Sequence, residues 1–323
     1  MRHTRPGESV ATNLPNTDGS PGIETASFAS ETNADAPSKL VIASYNIRYG
    51  VGSFLITGSL LRHARLTLPR RRHALVNRHL QRAALALSDG GRLPPVDIVA
   101  LQEADRETVR AGGHHIAREL ASALRMHYAS ALLGLPRDEA PQANKWYLDF
   151  EEHIAPDDKG DTGIALLSRL PFAKLERVAL PWTECAWRPR LALAATIQVG
   201  AEQLHLFNSH IDPHADTIAQ LEQHKAVLAR AEKLGGAVVL LGDFNTLTKR
   251  SGQAMRRLLE AHGYHTPFPN GVATWRAGLI RLQTDWIFVR GAEVTRWGVA
   301  RRLGVSDHWP IWVEVKLETA GSS

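Results

Sequence analysis

Asn46, Gln102-Glu103, Asn208-Ser209-His210, Gly242-Asp243-Phe244-Asn245, Thr284-Asp285 and Ser306-Asp307-His308 each stand at the end or the start of an apolar, strand-like run. The runs are LVIASYN, VDIVALQE, LHLFNSH, AVVLLGDFN, TDWIFV and SDHWPIWVEV. In four of them the polar residues follow the apolar stretch, and in two they precede it. If neighbouring strands run antiparallel, the ends of some and the starts of others meet at one rim of a sheet. The chain then gathers carboxylates, carboxamides and two imidazoles into one pocket. Hard oxygen ligands beside imidazoles suit a divalent metal and a phosphate.

Two positions sharpen that chemistry. Glu103 closes an almost wholly apolar strand, where a buried carboxylate is costly without a partner, and a divalent cation is a natural one. The plain alternative is a solvated strand end. In GDFN, side chains two apart on an extended backbone share a face, so Asp243 and Asn245 are expected to face the pocket while Phe244 packs the other way. One could then take a proton while the other holds an oxygen. Gly, Asp and Asn are also common turn residues, but the apolar run before them argues for a strand end.

The elements that must position these residues follow from periodicity. RHALVNRHLQRAALALS reads as a helix, with Val76, Leu80, Ala83 and Leu87 on one face. A second helix is expected over about 107–125, where Ile116, Leu120 and Leu124 repeat. A third is expected to begin near Asp212-Pro213, as an N-cap and a first-turn proline, and to stop at Gly235-Gly236. Strands dominate the remainder, including 165–169 and 191–199. Strands and helices interleave in two successive halves, a pattern consistent with two packed sheets covered by helices.

The motifs SYNIRYG (44–50), ALQEAD (100–105), DTGIALLSRLPF (161–172), NSHID (208–212), GDFN (242–245), TDWIFV (284–289) and SDHWP (306–310) stand in one order along most of residues 39–317. In this the chain resembles the endonuclease/exonuclease/phosphatase superfamily, the DNase I-like proteins. Seven motifs in family order, each in strand context, are far more specific than any one tripeptide. The resemblance implies an α+β fold, a four-layer α/β/β/α sandwich of two mostly antiparallel sheets. It implies a hydrolase of phosphoric ester bonds that uses Mg²⁺, with Mn²⁺ as a substitute. Glu103 is the implied principal metal ligand, with Asn46 and Asp307 contributing directly or through water. Asp243 is the implied base for the attacking water, Asn245 its positioning partner, and His308, paired with Asp285, a donor to phosphate. His210 matches the second catalytic histidine. Exonuclease III-like members also carry a catalytic tyrosine on a loop. That region aligns loosely here, and Tyr147 and Lys145 are its candidates. The carboxylate that would support His210 is not identifiable among Asp149, Glu151, Glu152 and Asp161. Arg190 is a candidate phosphate contact, although an arginine at a strand edge is usually only solvated.

Composition bounds the rest. A chain of 323 residues with 44% hydrophobic content can bury a large core. The domain is expected over 39–318, after a disordered tail at 1–38 rich in Ser, Thr, Asn, Asp, Gly and Pro, and before a short tail at 319–323. A lone Cys185 excludes an internal disulfide. No apolar run is long enough for a spanning helix and no signal peptide is recognised, so a cytoplasmic monomer is expected. A net charge of +5 and the absence of acidic residues from Ala36 to Ser88 suit a polyanionic partner. Arg62, Arg65, Arg70, Arg71, Arg72, Arg78 and Arg82, with His63, His73 and His79, could track a nucleic-acid backbone, the favoured substrate. With FLITGSLL before them they could also lie on an anionic membrane. A solvated connection and helix face explains the same residues. Trp182, Trp187 and Trp275 could line the pocket mouth or simply pack. Three function classes result: a phosphodiesterase acting on nucleic acid, a phospholipid or phosphoinositide hydrolase on the same scaffold, and a silent binding module. The last is disfavoured by the presence of Glu103, Asp243, Asn245, Asp307 and His308 together.

Overall fold

A computed structural model of the chain describes residues 22–29, 37–52, 69–88, 91–134, 154–155, 157–182, 189–301 and 303–317. In chain order the elements begin with β1 (Ile23–Ser27), β2 (Leu40–Asn46), a short 3-10 turn (Arg48–Gly50), α1 (Pro69–Ser88), β3 (Ile98–Gln102) and α2 (Ile116–Leu124). There follow β4 (His127–Leu132), β5 (Gly163–Ser168), β6 (Phe172–Ala179), β7 (Leu191–Val199), β8 (Glu202–His210) and α3 (Thr217–Ala231). The last are β9 (Ala237–Asp243), α4 (Lys249–Ala261), β10 (Trp275–Ala277), β11 (Ile280–Leu282), β12 (Asp285–Arg290), β13 (Ala292–Val299) and β14 (Ile311–Leu317).

Two sheets carry the fold. One runs β1-β4-β5-β3-β2-β14-β13 and the other β12-β9-β8-β7-β6, while β10 and β11 form a separate hairpin. Pairing is antiparallel except for β2 with β3 and β8 with β9. Those two parallel pairs need helical crossovers, supplied by α1 and α3. Strand alternation then builds the layers. Leu40 and Ile42 of β2, Ile98 and Ala100 of β3, Leu204 and Leu206 of β8, Val239 and Leu241 of β9, and Ile287 of β12 pack in one cluster between the sheets. The alternate residues Val41, Ala43, Val99 and Leu101 pack outward with Val76, Leu80, Ile116 and Leu120 of the helices α1 and α2. On the far side Phe207, Val238, Leu240 and Phe288 pack with Val227, Leu228, Met255 and Leu259 of α3 and α4. The result is the α/β/β/α sandwich expected from the resemblance, and burial on both faces explains the near-continuous apolar strands.

The same period of two decides where the polar strand ends point. Continuing the inter-sheet face of each strand in steps of two reaches Asn46, Gln102, Asn208, His210 and Asp243, and stepping back by two from Ile287 reaches Asp285. All lie at one end of the sandwich, because His210 pairs with Asp243 and Asp243 with Asp285, while Asn46 pairs with Gln102.

Several boundaries differ from expectation. The expected disordered tail contributes β1, which pairs antiparallel with β4. Its polar sequence IETAS hides a strand that one carboxylate helps to hold: Glu24 accepts from Tyr128 Oη, meets His115 Nε2 at 3.2 Å and Arg106 Nη1 at 3.3 Å. These donors, His115 foremost, hold the Glu24 carboxyl down at about 2 against the opposing effect of burial. The second helix starts at Ile116, not near 107, because Gly112 and Gly113 adopt φ of 66° and 78° and His115 caps the first turn by accepting from Arg118 N. The third starts at Thr217, capped by Asp216, whose Oδ1 accepts from Ala219 N at 2.8 Å. Asp212 instead accepts from His214 N in the preceding turn. Residues 54–61, Arg62, His63, Arg65, Lys145, Tyr147, Cys185 and Trp187 lie outside the described residues.

At Gly242 the two central strands of the second sheet come too close for any side chain. Its φ is 143°, and a Cβ there would lie 1.9 Å from the carbonyl oxygen of Ser209 on β8. Both the angle and the close approach require glycine. Gly242→Ala is expected to destabilise the protein by about 3 kcal/mol or more, through overpacking and backbone strain together. Chemical denaturation would measure this, and a loss under about 1 kcal/mol would contradict the close-approach account.

Candidate active site

Asn46 joins the two halves of the rim. Its Oδ1 accepts from the backbone N of Arg48 at 3.0 Å, which fixes the carboxamide orientation. Its Nδ2 then donates to Glu103 Oε1 on the neighbouring strand end at 3.1 Å and, across the sandwich, to Asp243 Oδ2 at 2.9 Å. Glu103 itself sits one residue past β3 at φ 52°, a left-handed conformation that a non-glycine residue adopts only under constraint. The turn lifts the carboxylate off the strand, and Glu103 is half-buried rather than sealed in the core.

On the second sheet, Asp243 ends β9 and Asn245 follows at φ 48°. The strand therefore stops before Asn245, and a left-handed turn rather than extended alternation sets its direction. Asn245 N donates to Asp243 Oδ1 at 3.0 Å, and Asn245 Nδ2 donates to the carbonyl of Ile211 at 2.8 Å. The pair still stays together, and Phe244 packs into the helix-side core beside Phe288 and His224 as expected.

His308 lies between two carboxylates. Its Nδ1 is 3.1 and 3.0 Å from the two oxygens of Asp285, and its Nε2 is 3.7 Å from Asp243 Oδ2. Asp285 is in turn held by Thr284 Oγ1, which donates to Oδ2 at 2.9 Å, and by its own N–H on Thr274 Oγ1. Burial works against a charge on His308, but Asp285 and then Asp243 outweigh it and raise its pKa to about 10. For Asp243 burial dominates; His308 pulls the other way and Asp285 adds to the rise, leaving the carboxyl raised to about 7. Ligand atoms of Asp243, Asp285 and His308 lie within 4.8 Å of one another, close enough to hold a metal ion. With both ring nitrogens facing carboxylates, however, the imidazolium form is favoured, and an imidazolium has no lone pair to offer a metal.

His210, at the end of β8, places Nε2 3.7 Å from Asp243 Oδ2. Its Nδ1 lies 3.3 Å from Arg190 Nη1. A guanidinium can only donate, so Nδ1 accepts and the ring proton belongs on Nε2, toward Asp243. Arg190 is thus buried beside the site rather than solvated. Of the carboxylates considered for His210, Asp161 accepts from Gly134 N and Thr162 N, while Asp149, Glu151 and Glu152 fall outside the described residues.

Asp307 is surrounded by donors that the strand pattern does not assign. Arg48 Nη1 lies 3.2 Å and Trp275 Nε1 3.0 Å from Asp307 Oδ2, and Ser306 Oγ lies 3.3 Å from Oδ1. The only sequence signal for Arg48 is its place within SYNIRYG. Of the three tryptophans considered for the pocket mouth, Trp275 is the one that bonds to a site residue among those described. Gln102 and Asn208 stitch the sheets behind the site: Gln102 Nε2 donates to Asn208 Oδ1 at 2.7 Å, and Asn208 Nδ2 donates to the carbonyls of Leu101 and Ala165, each at 2.9 Å.

The charges predict a pH response of the fold. His308 rises from 6.5 to about 10 on folding, so its protonation stabilises the fold fully below pH 6.5 and that contribution is lost as pH rises through about 10. Asp243 rises from 3.8 to about 7, so its contribution is full below pH 3.8, is lost as pH rises to about 7 and is constant above that, which leaves the alkaline decline to His308. In chelator the melting temperature is expected to fall from near-neutral to alkaline pH, and His308→Gln is expected to flatten the decline. A melting temperature that rises over this range would contradict the assignment.

Residues 43–308 match the model of the Endonuclease/Exonuclease/phosphatase family. Among curated proteins none matches the sequence. Among solved structures, an endonuclease/exonuclease/phosphatase from Bacteroides vulgatus is similar at a TM-score of 0.60 and 15% identity, over 87% of this chain and 100% of its own. One from Beutenbergia cavernae has a TM-score of 0.57 and 16% identity, over 89% of this chain and 74% of its own. A mannosyl-6-phosphatase from Bacteroides thetaiotaomicron has a TM-score of 0.51 and 19% identity, over 85% of this chain and 99% of its own. At these identities the structures establish the fold, and the family match establishes membership: the chain belongs to the endonuclease/exonuclease/phosphatase family, whose members hydrolyse phosphoester bonds.

Proposed function

We propose that the protein is a divalent-metal-dependent phosphodiesterase. The observation that carries this reading is the chain of contacts Asp285–His308–Asp243–Asn46–Glu103, which joins a cation, a near-neutral base and oxygen donors across the two sheets. Asp243, with its carboxyl near 7, is poised to take the proton of an attacking water at neutral pH. Asn245, fixed against Asp243, orients that water. His308, kept cationic by Asp285, donates from Nε2 to the phosphoryl oxygens, where negative charge builds in the transition state. His210, with its proton on Nε2 by virtue of Arg190, gives a second donor. The environment thus separates one base from one acid, as acid-base chemistry at a single pH requires.

Oxygen donors of Glu103, Asn46 and Asp307 suit Mg²⁺, and Mn²⁺ as its substitute. The strained turn at Glu103, beside a core it does not enter, is the local feature that supports a ligand role there. Bound in that position, the ion would polarise a phosphoryl oxygen and offset developing charge.

Two substrate classes fit a monomeric phosphodiesterase of this charge. Nucleic acid is supported by the net charge of +5 and by Arg71, Arg78 and Arg82, exposed on α1. Arg72 is excluded from that set because its Nε donates to the carbonyl of Arg110 at 2.7 Å, a structural role. Phospholipid is supported by Leu279 and Ile280, exposed on the hairpin whose Trp275 bonds to Asp307.

Activity is expected to require Mg²⁺ or Mn²⁺ and to vanish in EDTA. Glu103→Gln is expected to weaken Mn²⁺ binding at least tenfold by calorimetry while leaving the fold intact. Asp243→Asn and His308→Ala are each expected to lower kcat by about 10² or more. Wild-type turnover of a soluble phosphodiester by both variants would remove the assigned roles. If α1 tracks a duplex, replacing Arg71, Arg78 and Arg82 by Gln should reduce the salt slope of DNA binding by about one unit per lost phosphate contact. An unchanged slope would return α1 to a solvated face.

A further inference from the structure

The hairpin of β10 and β11 stands directly against the site. Trp275 Nε1 donates to Asp307 Oδ2, Arg276 N donates to the carbonyl of Asp307 at 3.0 Å, and Trp309 N donates to the carbonyl of Thr274 at 2.7 Å. Trp275 also pairs with His308 in an isolated antiparallel bridge. From this root the hairpin projects a two-residue turn, Gly278-Leu279, with Gly278 at φ 59° as a tight hairpin requires. At the tip Leu279 is 97% and Ile280 58% exposed. Directly behind it Arg276 and Arg281 pair across the strands, and both are exposed. Like charges opposite each other destabilise a hairpin, and two strands alone are marginal in water. An anionic surface would relieve the repulsion, and an apolar layer beyond it would accept the tip.

Other exposed apolar side chains share this rim. Trp182, 49% exposed, follows the end of β6, where Ala179 pairs with Leu191 and, one strand on, Ala192 pairs with Ser209. Leu247, 39% exposed, lies two residues beyond Asn245, to whose carbonyl its N–H donates. Ile218, 72% exposed, opens α3, whose Gln220 donates to the carbonyls of Asp212 and Asn245. Single exposed apolar residues need no explanation, but a crown of them around a charged pocket marks an interaction face.

We propose that this crown, led by the Leu279–Ile280 tip and the Arg276–Arg281 pair, seats the protein on a phospholipid surface carrying anionic headgroups. The phosphodiester presented to the site is then that of a lipid headgroup, which deepens and rests on the phosphodiesterase reading above. Fully exposed aliphatic side chains find no partner on a sugar-phosphate backbone, whereas the acyl boundary accepts them. One residue pair, Ala277 with Ile280, separates the turn from the arginine pair, so Leu279 stands two positions from Arg281, on the order of 7 Å at the rise of a strand. That matches the depth of about 5–10 Å to which interfacial segments bury their apolar side, with cations left at headgroup level.

The test is co-sedimentation of the full chain with vesicles of phosphatidylcholine alone and of phosphatidylcholine with phosphatidylglycerol, beside binding to duplex DNA and a sedimentation measurement of oligomeric state. Leu279→Ser with Ile280→Ser is expected to lower the vesicle partition coefficient at least tenfold. Arg276→Gln with Arg281→Gln is expected to abolish the preference for the anionic vesicles. Both variants should hydrolyse a small soluble aryl phosphodiester as wild type does, with unchanged melting temperature, which confirms folding. Unchanged vesicle partitioning overturns the proposal. So does a loss of DNA binding in place of vesicle binding, or a wild-type dimer that the tip substitutions dissociate. If wild type binds vesicles but never turns over the soluble diester, the phosphodiesterase reading fails while the lipid-docking face stands.

Discussion

The site exists because two sheets are bonded face to face at one end by buried polar groups. Elsewhere the interface is largely aliphatic and indifferent to small slides. At the rim, Gln102 to Asn208, Asn46 to Asp243 and His308 to Asp285 each connect one sheet to the other. A buried carboxamide or carboxylate without its partner costs about 1–3 kcal/mol or more, so a slip that breaks one of these contacts is penalised in a way that aliphatic packing cannot supply. Specific alignment of the layers and assembly of the polar cluster are thus one event. Neither sheet holds a complete site: Glu103 and Asn46 come from one, Asp243, Asn245 and His210 from the other.

Much of this is legible in the amino-acid order. Polar residues at the ends of some apolar runs and the starts of others gather Asn46, His210, Asp243 and Asp285 at one rim in the sequence reading, and the structure brings them to one end of the sandwich. The helix over 72–88 carries a plain signal, and the one expected to stop at Gly235-Gly236 is present but ends at Ala231. What stays hidden depends on conformation or on distance in sequence. Asn245 reaches the pocket by a left-handed turn that no alternation rule anticipates. Arg48 meets Asp307 from the opposite end of the chain, and Arg190 meets His210 from the neighbouring strand. Neither pairing leaves a local trace. The strand Ile23–Ser27 is concealed because it is short and mostly polar, secured by its pairing with β4, by Ile23 and Ala26 in the cores and by the contacts of Glu24.

Charge placement at the rim follows a consistent logic. Two carboxylates sustain the cation on His308, and one of them, Asp243, rises toward neutrality under its own burial. Asp307, by contrast, already faces a guanidinium and an indole N–H, so its negative charge is largely compensated by the protein itself. The half-buried Glu103 is then the carboxylate of the rim least committed to the core, consistent with a ligand role for it ahead of Asp307.

The strand Ile23–Ser27 has a consequence for how the molecule meets its neighbours. It covers the outer side of β4, which would otherwise offer a row of unpaired backbone donors and acceptors. Exposed strand edges template pairing with other chains, and HYASAL has little charge to discourage it. The bond network around Glu24 therefore acts as a latch against self-association. Removal of the residues before 39 would make β4 the border of its sheet and offer neighbours a strand with little charge to turn them away.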